Sequence, residues 1–183
     1  ALLVATPELL ERRFRIRVRT GHQVTGIDRD RRVVSVLDRS TGARFEEPYD
    51  KLVLAPGSRP HVPSALGALP ANVVTLRNLA DADRIRRLLV GPTAIAPRRP
   101  GAPLRAVVVG SGFIGLEMVE QLAHLGVETT LVELMDQVLP LLDRELGNLL
   151  GPELESHRVA LRLGVGVACC HGDGEGRVAE VEL

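Results

Sequence analysis

Apolar and polar residues change their spacing several times along this chain, and each change predicts an element. Thr6-Pro7-Glu8 reads as a helix start, with Thr6 as cap and Pro7 at the first helical position, and Leu9, Leu10 and Arg13 follow at helical spacing. Ile16, Val18 and Thr20 then alternate with Arg15, Arg17 and Arg19, which predicts a strand with one wet, basic face. Val24 and Ile27 lead into the polar turn Asp28-Arg29-Asp30-Arg31. Val33, Val34, Val36 and Leu37 make a second β-rich run, closed by the turn Ser40-Thr41-Gly42-Ala43. Phe45 to Tyr49 begins a third strand, and Lys51-Leu52-Val53-Leu54-Ala55 reads as a buried apolar strand. Residues 20–55 are therefore expected to form an antiparallel meander feeding a core strand.

The second half has a different rhythm. Residues 56–75 carry Pro56, Gly57, Pro60, Pro63, Gly67 and Pro70, too irregular for a helix, and Leu79 to Val90 reads as one. Gly91, Pro92, Pro97, Pro100, Gly101 and Pro103 predict an exposed connection over 91–105. Strand, glycine-rich turn and helix follow, then strand and helix again, an alternation that predicts a parallel sheet. Residues 159–183 revert to short β runs broken by Gly164, Gly166, Gly172, Gly174 and Gly176.

The strand predicted over Arg105 to Val109 is an apolar run of the buried, parallel type. It runs into Gly110-Ser111-Gly112-Phe113-Ile114-Gly115. The helix beyond is expected to end near Leu125, capped by Gly126, with Ile114, Met118, Val119, Leu122 and Leu125 on its apolar face. Each glycine has its own task in a dinucleotide-binding βαβ unit. Gly110 permits the tight turn, Gly112 lets the backbone approach a pyrophosphate, and Gly115 lets the helix pack closely on the sheet. The phosphates would rest on free N–H groups at the positive end of the helix dipole. Strand before and amphipathic helix after make this context far more specific than the glycine spacing alone. The next strand, Glu128 to Val132, ends on Glu133, about 20 residues past the motif, where an acid accepts hydrogen bonds from the adenosine ribose. Glu133 would also repel the 2′-phosphate of NADP, and Leu134-Met135-Asp136-Gln137 holds no cation to welcome it, so NAD(H) is favoured.

Composition narrows the classes further. A formal net charge of zero, with its 23 basic residues scattered, argues against nucleic acid or a membrane surface as partner. No apolar run is long enough to span a bilayer. Cys169 and Cys170 are adjacent, a geometry that strains a disulfide, and neither has metal-ligand spacing, so no metal site is expected. Few cysteines fit a reducing, cytoplasmic setting. The chain opens without Met and in mid-pattern, so a piece of a longer protein is expected.

The segments VVVGSGFIGLE, LVELMDQVLPLLDREL, YDKLVLAPGSRP and TLRNLADADRIRRLL, with a meander ahead, together resemble the FAD-dependent pyridine nucleotide-disulfide oxidoreductases. The likeness is greatest to the coenzyme A disulfide reductase and NADH oxidase branch. The resemblance implies an α/β chain in which a Rossmann-like NAD(H)-binding domain, residues 76–183, follows a partial FAD-binding domain with its β-meander, residues 1–75. Leu54-Ala55-Pro56-Gly57 matches the motif that closes the first flavin lobe, with Pro56 where the family has Thr. Val24 matches the position whose backbone meets the flavin adenine. Glu117 matches an acid that points toward the nicotinamide and flavin. Arg17 and Arg19 stand either for a coenzyme A phosphate contact or for a solvated basic face.

The resemblance also implies features this sequence lacks: a first flavin fingerprint and redox cysteine ahead of Ala1, and further flavin and dimerisation segments after Leu183. Cys169 and Cys170 do not match the redox cysteine. The expected whole protein is a homodimeric oxidoreductase that passes hydride from NADH to FAD and on to a small-molecule disulfide or oxygen. No catalytic residue is assignable in this chain, and the chain alone is expected to be inactive. The other readings are a flavin-free NAD-dependent dehydrogenase and a non-catalytic nucleotide-binding module.

Overall fold

Polar anchors at the turns set the register of the first β-sheet. In the computed structural model, which describes residues 5–63, 70–91, 94–95 and 101–183, strands β1 (His22–Asp28), β2 (Val33–Asp38) and β3 (Arg44–Pro48) form an antiparallel meander in the order β1-β2-β3. At the first turn Asp28 Oδ1 accepts from the N–H groups of Asp30 and Arg31 (3.1 and 2.9 Å). At the second, the Asp38 carboxylate accepts from the Ser40 N–H and hydroxyl and from the Thr41 hydroxyl (2.8, 2.6 and 2.8 Å). These bonds hold the Asp38 carboxyl far below the usual carboxylate range, the Ser40 hydroxyl contributing most. A β-bulge between Val24 and Gly26 shifts the pairing with β2 by one residue. Val34 and Val36 are the buried residues of this sheet.

The predicted helix at the start is present as α1 (Pro7–Phe14), with the Thr6 hydroxyl accepting from the Leu9 N–H at 3.2 Å. Two strand predictions fail. Residues 15–20 form no strand: Arg15 turns left-handed as the cap of α1, and among the described residues no neighbouring strand pairs with this segment. Lys51 to Ala55 is not a strand either, and Val53 and Leu54 are 87% and 68% exposed. An apolar run becomes a buried strand only when a ladder partner and a covering layer reach it. Arg19 is committed locally, with its guanidinium 2.8 Å from Glu47 and stacked over Phe45.

The chain divides into two compact units between Gly57 and Ser58. The described residues of 58–75, counted with the first portion in the sequence reading, belong to the second unit. Asn72 explains part of this, because its side chain donates to the Val178 carbonyl (2.9 Å) and accepts from the Val178 N–H (2.8 Å). Gly67, Pro92, Pro97 and Pro100 lie outside the described residues. Helix α2 (Leu79–Leu89) opens with a reciprocal capping box between Asn78 and Asp81.

The second unit is built on a parallel sheet of β4 (Arg105–Val109), β5 (Glu128–Glu133) and β6 (Ala160–Leu163), in that order. Helix α3 (Phe113–His124) joins β4 to β5, and α4 (Arg144–Ser156) joins β5 to β6. The crossover helices explain the parallel pairing, since a short turn cannot bring two strands into parallel register. The fold is α/β with a Rossmann-like βαβ core. A hairpin of β7 (Cys169–Gly172) and β8 (Val178–Glu182) completes it. Val119, Leu131 and Val159 form the core, with Val108, Leu116, Leu154 and Leu161 packed around them.

Burial corrects two details of the sequence reading. In β4, Val107 and Val109 are 42% and 50% exposed, because β4 pairs only with β5 among the described residues and alternate side chains face away from α3. On α3 the buried residues are Val119 and Leu122, with Leu116 beside the core, whereas Ile114 and Leu125 are exposed. The helix is apolar beyond the stripe that the sheet can cover, so pattern alone overestimated its buried face.

Leu131 is fully buried against residues from α3 and the start of β6. Leu131→Ala is expected to lower unfolding stability by about 2–5 kcal/mol, the cost of lost burial plus a residual cavity. Urea denaturation measures it; a loss below about 1 kcal/mol would show that this cluster does not hold the sheet.

Candidate nucleotide-binding site

Parallel pairing sets the candidate residues side by side. Val109 pairs with Val132, so Gly110 and Glu133 emerge together at the carboxyl ends of β4 and β5. The Gly110 N–H continues the ladder to the Val132 carbonyl at 2.8 Å. Gly110 then adopts φ 98°, a left-handed turn that a side chain would strain. The chain enters α3 through Gly112, whose backbone is extended and which carries no side-chain cap. The first bond into the helix runs from the Leu116 N–H to the Gly112 carbonyl at 3.0 Å. The N–H groups of the first turn are therefore left to an outside acceptor. A β-carbon on Gly112 would meet no protein atom within 4 Å, whereas one on Gly115 would fall on the Gly110 carbonyl oxygen. Gly115 is thus required by packing, and Gly112 faces open space.

Ser111 has a role that glycine spacing did not reveal. It is completely buried. Its N–H and hydroxyl both donate to Glu133 Oε2, at 2.7 and 2.9 Å, while Met135 N–H donates to Oε1 at 2.9 Å. The Ser111 hydroxyl and carbonyl oxygens also accept from the Leu139 N–H, each at 3.2 Å. Both Ser111 donors are thus engaged inside the protein, and the N–H groups left for an anion begin at Gly112. Burial opposes the charge on Glu133. The bonds from Met135 and Ser111 outweigh it and hold the carboxyl below its usual range. A carboxylate has about four lone-pair sites, so these bonds leave room for a further donor. The signal for this clasp was a hydroxyl residue inside the glycine loop and an acid at the adjacent strand end, but only the register joins them.

The other predicted residues are distributed differently. Phe113 and Ile114, at the start of α3, are 63% and 58% exposed. Glu117 is exposed and lies one turn into α3. Leu134 and Met135 are exposed immediately after Glu133. Arg144, which the local sequence did not associate with this turn, reaches Asp136 with one nitrogen 2.8 and 3.1 Å from the two carboxylate oxygens, so its charge is matched. Val24, exposed beside the β1 bulge, and Ala55-Pro56-Gly57, an exposed irregular segment with Gly57 left-handed, belong to the first unit. Two shallow depressions, one at Asp83, Arg86, Arg87, Val90 and Gly91 and one on the meander, include no residue of the glycine loop. The loop is open to solvent at Gly112, Phe113 and Ile114.

Residues 4–183 match the family described as pyridine nucleotide-disulphide oxidoreductase. The chain belongs to that family. Among the oxidoreductases it resembles, a coenzyme A disulfide reductase of Staphylococcus aureus (strain bovine RF122 / ET3-1) is 33% identical over 171 residues, covering 93% of this chain and 36% of the relative. The structure of an FAD-dependent pyridine nucleotide-disulphide oxidoreductase from Desulfovibrio vulgaris superposes with a TM-score of 0.63 at 36% identity, covering 88% of this chain and 38% of that one. The water-forming NADH oxidase from Lactobacillus brevis, in a structure bound to NADH, gives a TM-score of 0.74 at 28% identity over 98% of this chain and 39% of its own. The chain spans a little over a third of the length of these relatives. Among its described residues, no helix is long and apolar enough to cross a membrane.

The two loop glycines are expected to respond to different degrees. Gly115→Ala should destabilise the fold by about 1–3 kcal/mol through the collision with Gly110, whereas Gly112→Ala should cost less than about 1 kcal/mol. Thermal unfolding of both variants checks this, and equal losses would contradict the assigned contacts.

Glu133 is expected to add a pH dependence. Its carboxyl is held low in the folded state, so its contribution is present above the unfolded carboxylate pKa and is lost as pH falls through the lower folded value. Glu133→Gln should accordingly flatten the acid limb of stability against pH. Identical acid limbs for the two proteins would remove Glu133 from this role.

Proposed function

We propose that this chain is the NAD(H)-binding portion of a flavin-dependent oxidoreductase that passes hydride from NADH to FAD and then to a disulfide or oxygen. Coenzyme A disulfide is the first candidate acceptor. In this reading the whole enzyme is a cytoplasmic homodimer, and the two units here are part of its flavin domain and most of its nicotinamide domain. The observation that carries the proposal is the uncapped, open start of α3 at Gly112, beside the carboxylate of Glu133.

The residues present suit a dinucleotide. Gly112, Phe113 and Ile114 offer N–H groups to a pyrophosphate at the positive end of α3. Glu133, anionic and already oriented by Ser111 and Met135, accepts from the ribose hydroxyls. Leu134 and Met135 offer exposed apolar surface to the adenine. The acid disfavours a 2′-phosphate, and Arg144 is matched by Asp136, which supports NAD(H) over NADP(H). Glu117, further along α3, would orient the nicotinamide end. When bound, the reduced nicotinamide supplies the hydride; the protein's part is to hold and aim it.

The first unit supports a smaller role toward flavin. Val24 and Ala55 to Gly57 are available as peripheral contacts, but α1, the helix among its described residues, begins at a Thr6 cap whose oxygen is already engaged. That unit therefore offers no uncapped glycine-rich helix start among its described residues. This chain by itself is proposed neither to retain FAD nor to reduce a disulfide.

Calorimetric titration tests the reading. NADH is expected to bind, Gly112→Val to abolish binding with the far-UV circular dichroism unchanged, and Glu133→Ala to weaken it about 10- to 150-fold, as for a hydrogen bond to a charged group. FAD titration and an NADH-consumption assay with coenzyme A disulfide should both be blank. Binding that survives Gly112→Val would show that the loop does not cradle phosphates, and turnover by this chain alone would overturn its assignment as the nicotinamide portion.

A further inference from the structure

The hairpin of β7 and β8 gathers metal-ligand side chains that are scattered in the sequence. Cys169 and His171 are two residues apart on β7 and share one face of the strand. Their register partners on β8 are Glu182 and Glu180 respectively, also two residues apart. Cys169 Sγ lies 3.0 Å from Glu182 Oε2 and 3.2 Å from His171 Nε2, and His171 Nε2 lies 3.1 Å from Glu182 Oε2. Each residue thus contributes one ligand atom to a single triangle. Glu180, opposite His171, lies on the same face of β8 as Glu182.

We propose that Cys169, His171 and Glu182 form a binding site for a divalent transition-metal ion of the zinc type, with water or Glu180 in the fourth position. Sulfur, imidazole nitrogen and carboxylate oxygen are the donor set that tetrahedral zinc takes. Zinc–ligand distances of roughly 2.0–2.3 Å at tetrahedral angles separate such ligands by about 3.3–3.7 Å. The triangle needs to open by about 0.2–0.7 Å along its edges, which these half-buried and exposed side chains can supply by rotation. The ion would replace the proton that the thiol shares with Glu182: the S–H bond breaks, a sulfur–metal bond forms, and the proton leaves to water. A bound cation stabilises the thiolate. Cys170 alternates to the opposite face of β7 and is excluded from the site. Sequence spacing concealed the set because Glu182 arrives only through strand pairing, thirteen residues after Cys169.

The test is cobalt(II) titration of the fully reduced chain, followed by zinc displacement and calorimetry in buffers of different ionisation enthalpy. A near-ultraviolet thiolate-to-cobalt charge-transfer band, abolished by zinc and accompanied by proton release, is expected. Cys169→Ser should remove the band, and His171→Ala and Glu182→Gln should each weaken binding by more than about 10-fold. Cys170→Ser should leave it unchanged. Absence of the band, its survival in Cys169→Ser, or its loss in Cys170→Ser would overturn the proposal. All four side chains lie on the hairpin surface, and unchanged circular dichroism separates a lost ligand from a lost fold.

Discussion

The carboxylate of Glu133 closes the end of the parallel sheet, and the glycine loop takes its shape from that closure. Strand pairing alone would leave the β4 and β5 termini as two loose ends. Glu133 ties them by accepting from the Ser111 N–H and hydroxyl on one oxygen and from Met135 on the other. Ser111 extends the clasp to Leu139. A buried hydroxyl and a charged acid would each be costly without a partner; together they satisfy one another. The first turn of α3 keeps its own donors because the clasp is made upstream of it.

Most of the second unit was legible in the sequence because its signals are local. The Val run, the three glycines and Gly126 each act within a few residues, and β4, α3 and β5 lie where they predict. What escaped prediction depended on distant partners. Residues 51–55 and 15–20 have the composition of strands but no ladder among the described residues, and β propensity without a partner is not a strand. The stripe of α3 that packs on the sheet is Val119 and Leu122 with partly buried Leu116 and excludes Ile114, because the helix's angle to the sheet is a tertiary property.

The same distinction governs the site chemistry. Glycine positions and the acid at the strand end were readable, since each follows from a rule about turns or helix termini. Ser111 as a donor to Glu133, Arg144 as the partner of Asp136, and the triangle of Cys169, His171 and Glu182 were not. All three are contacts between segments whose separation in sequence carries no periodic signal.

The burial of Ser111 has a thermodynamic consequence. Ligand-binding loops commonly order as the ligand arrives, and that ordering subtracts from affinity. Here the segment between β4 and α3 is immobilised by folding itself: Gly110 is in the ladder, Ser111 is sealed by Glu133 and Leu139, and Gly115 is pressed on the Gly110 carbonyl. The loop is preorganised, so the conformational entropy of fixing it is already part of the folding equilibrium. Its amides should then divide sharply under hydrogen exchange, Ser111 protected like a strand residue and Gly112 exchanging fast, one residue apart.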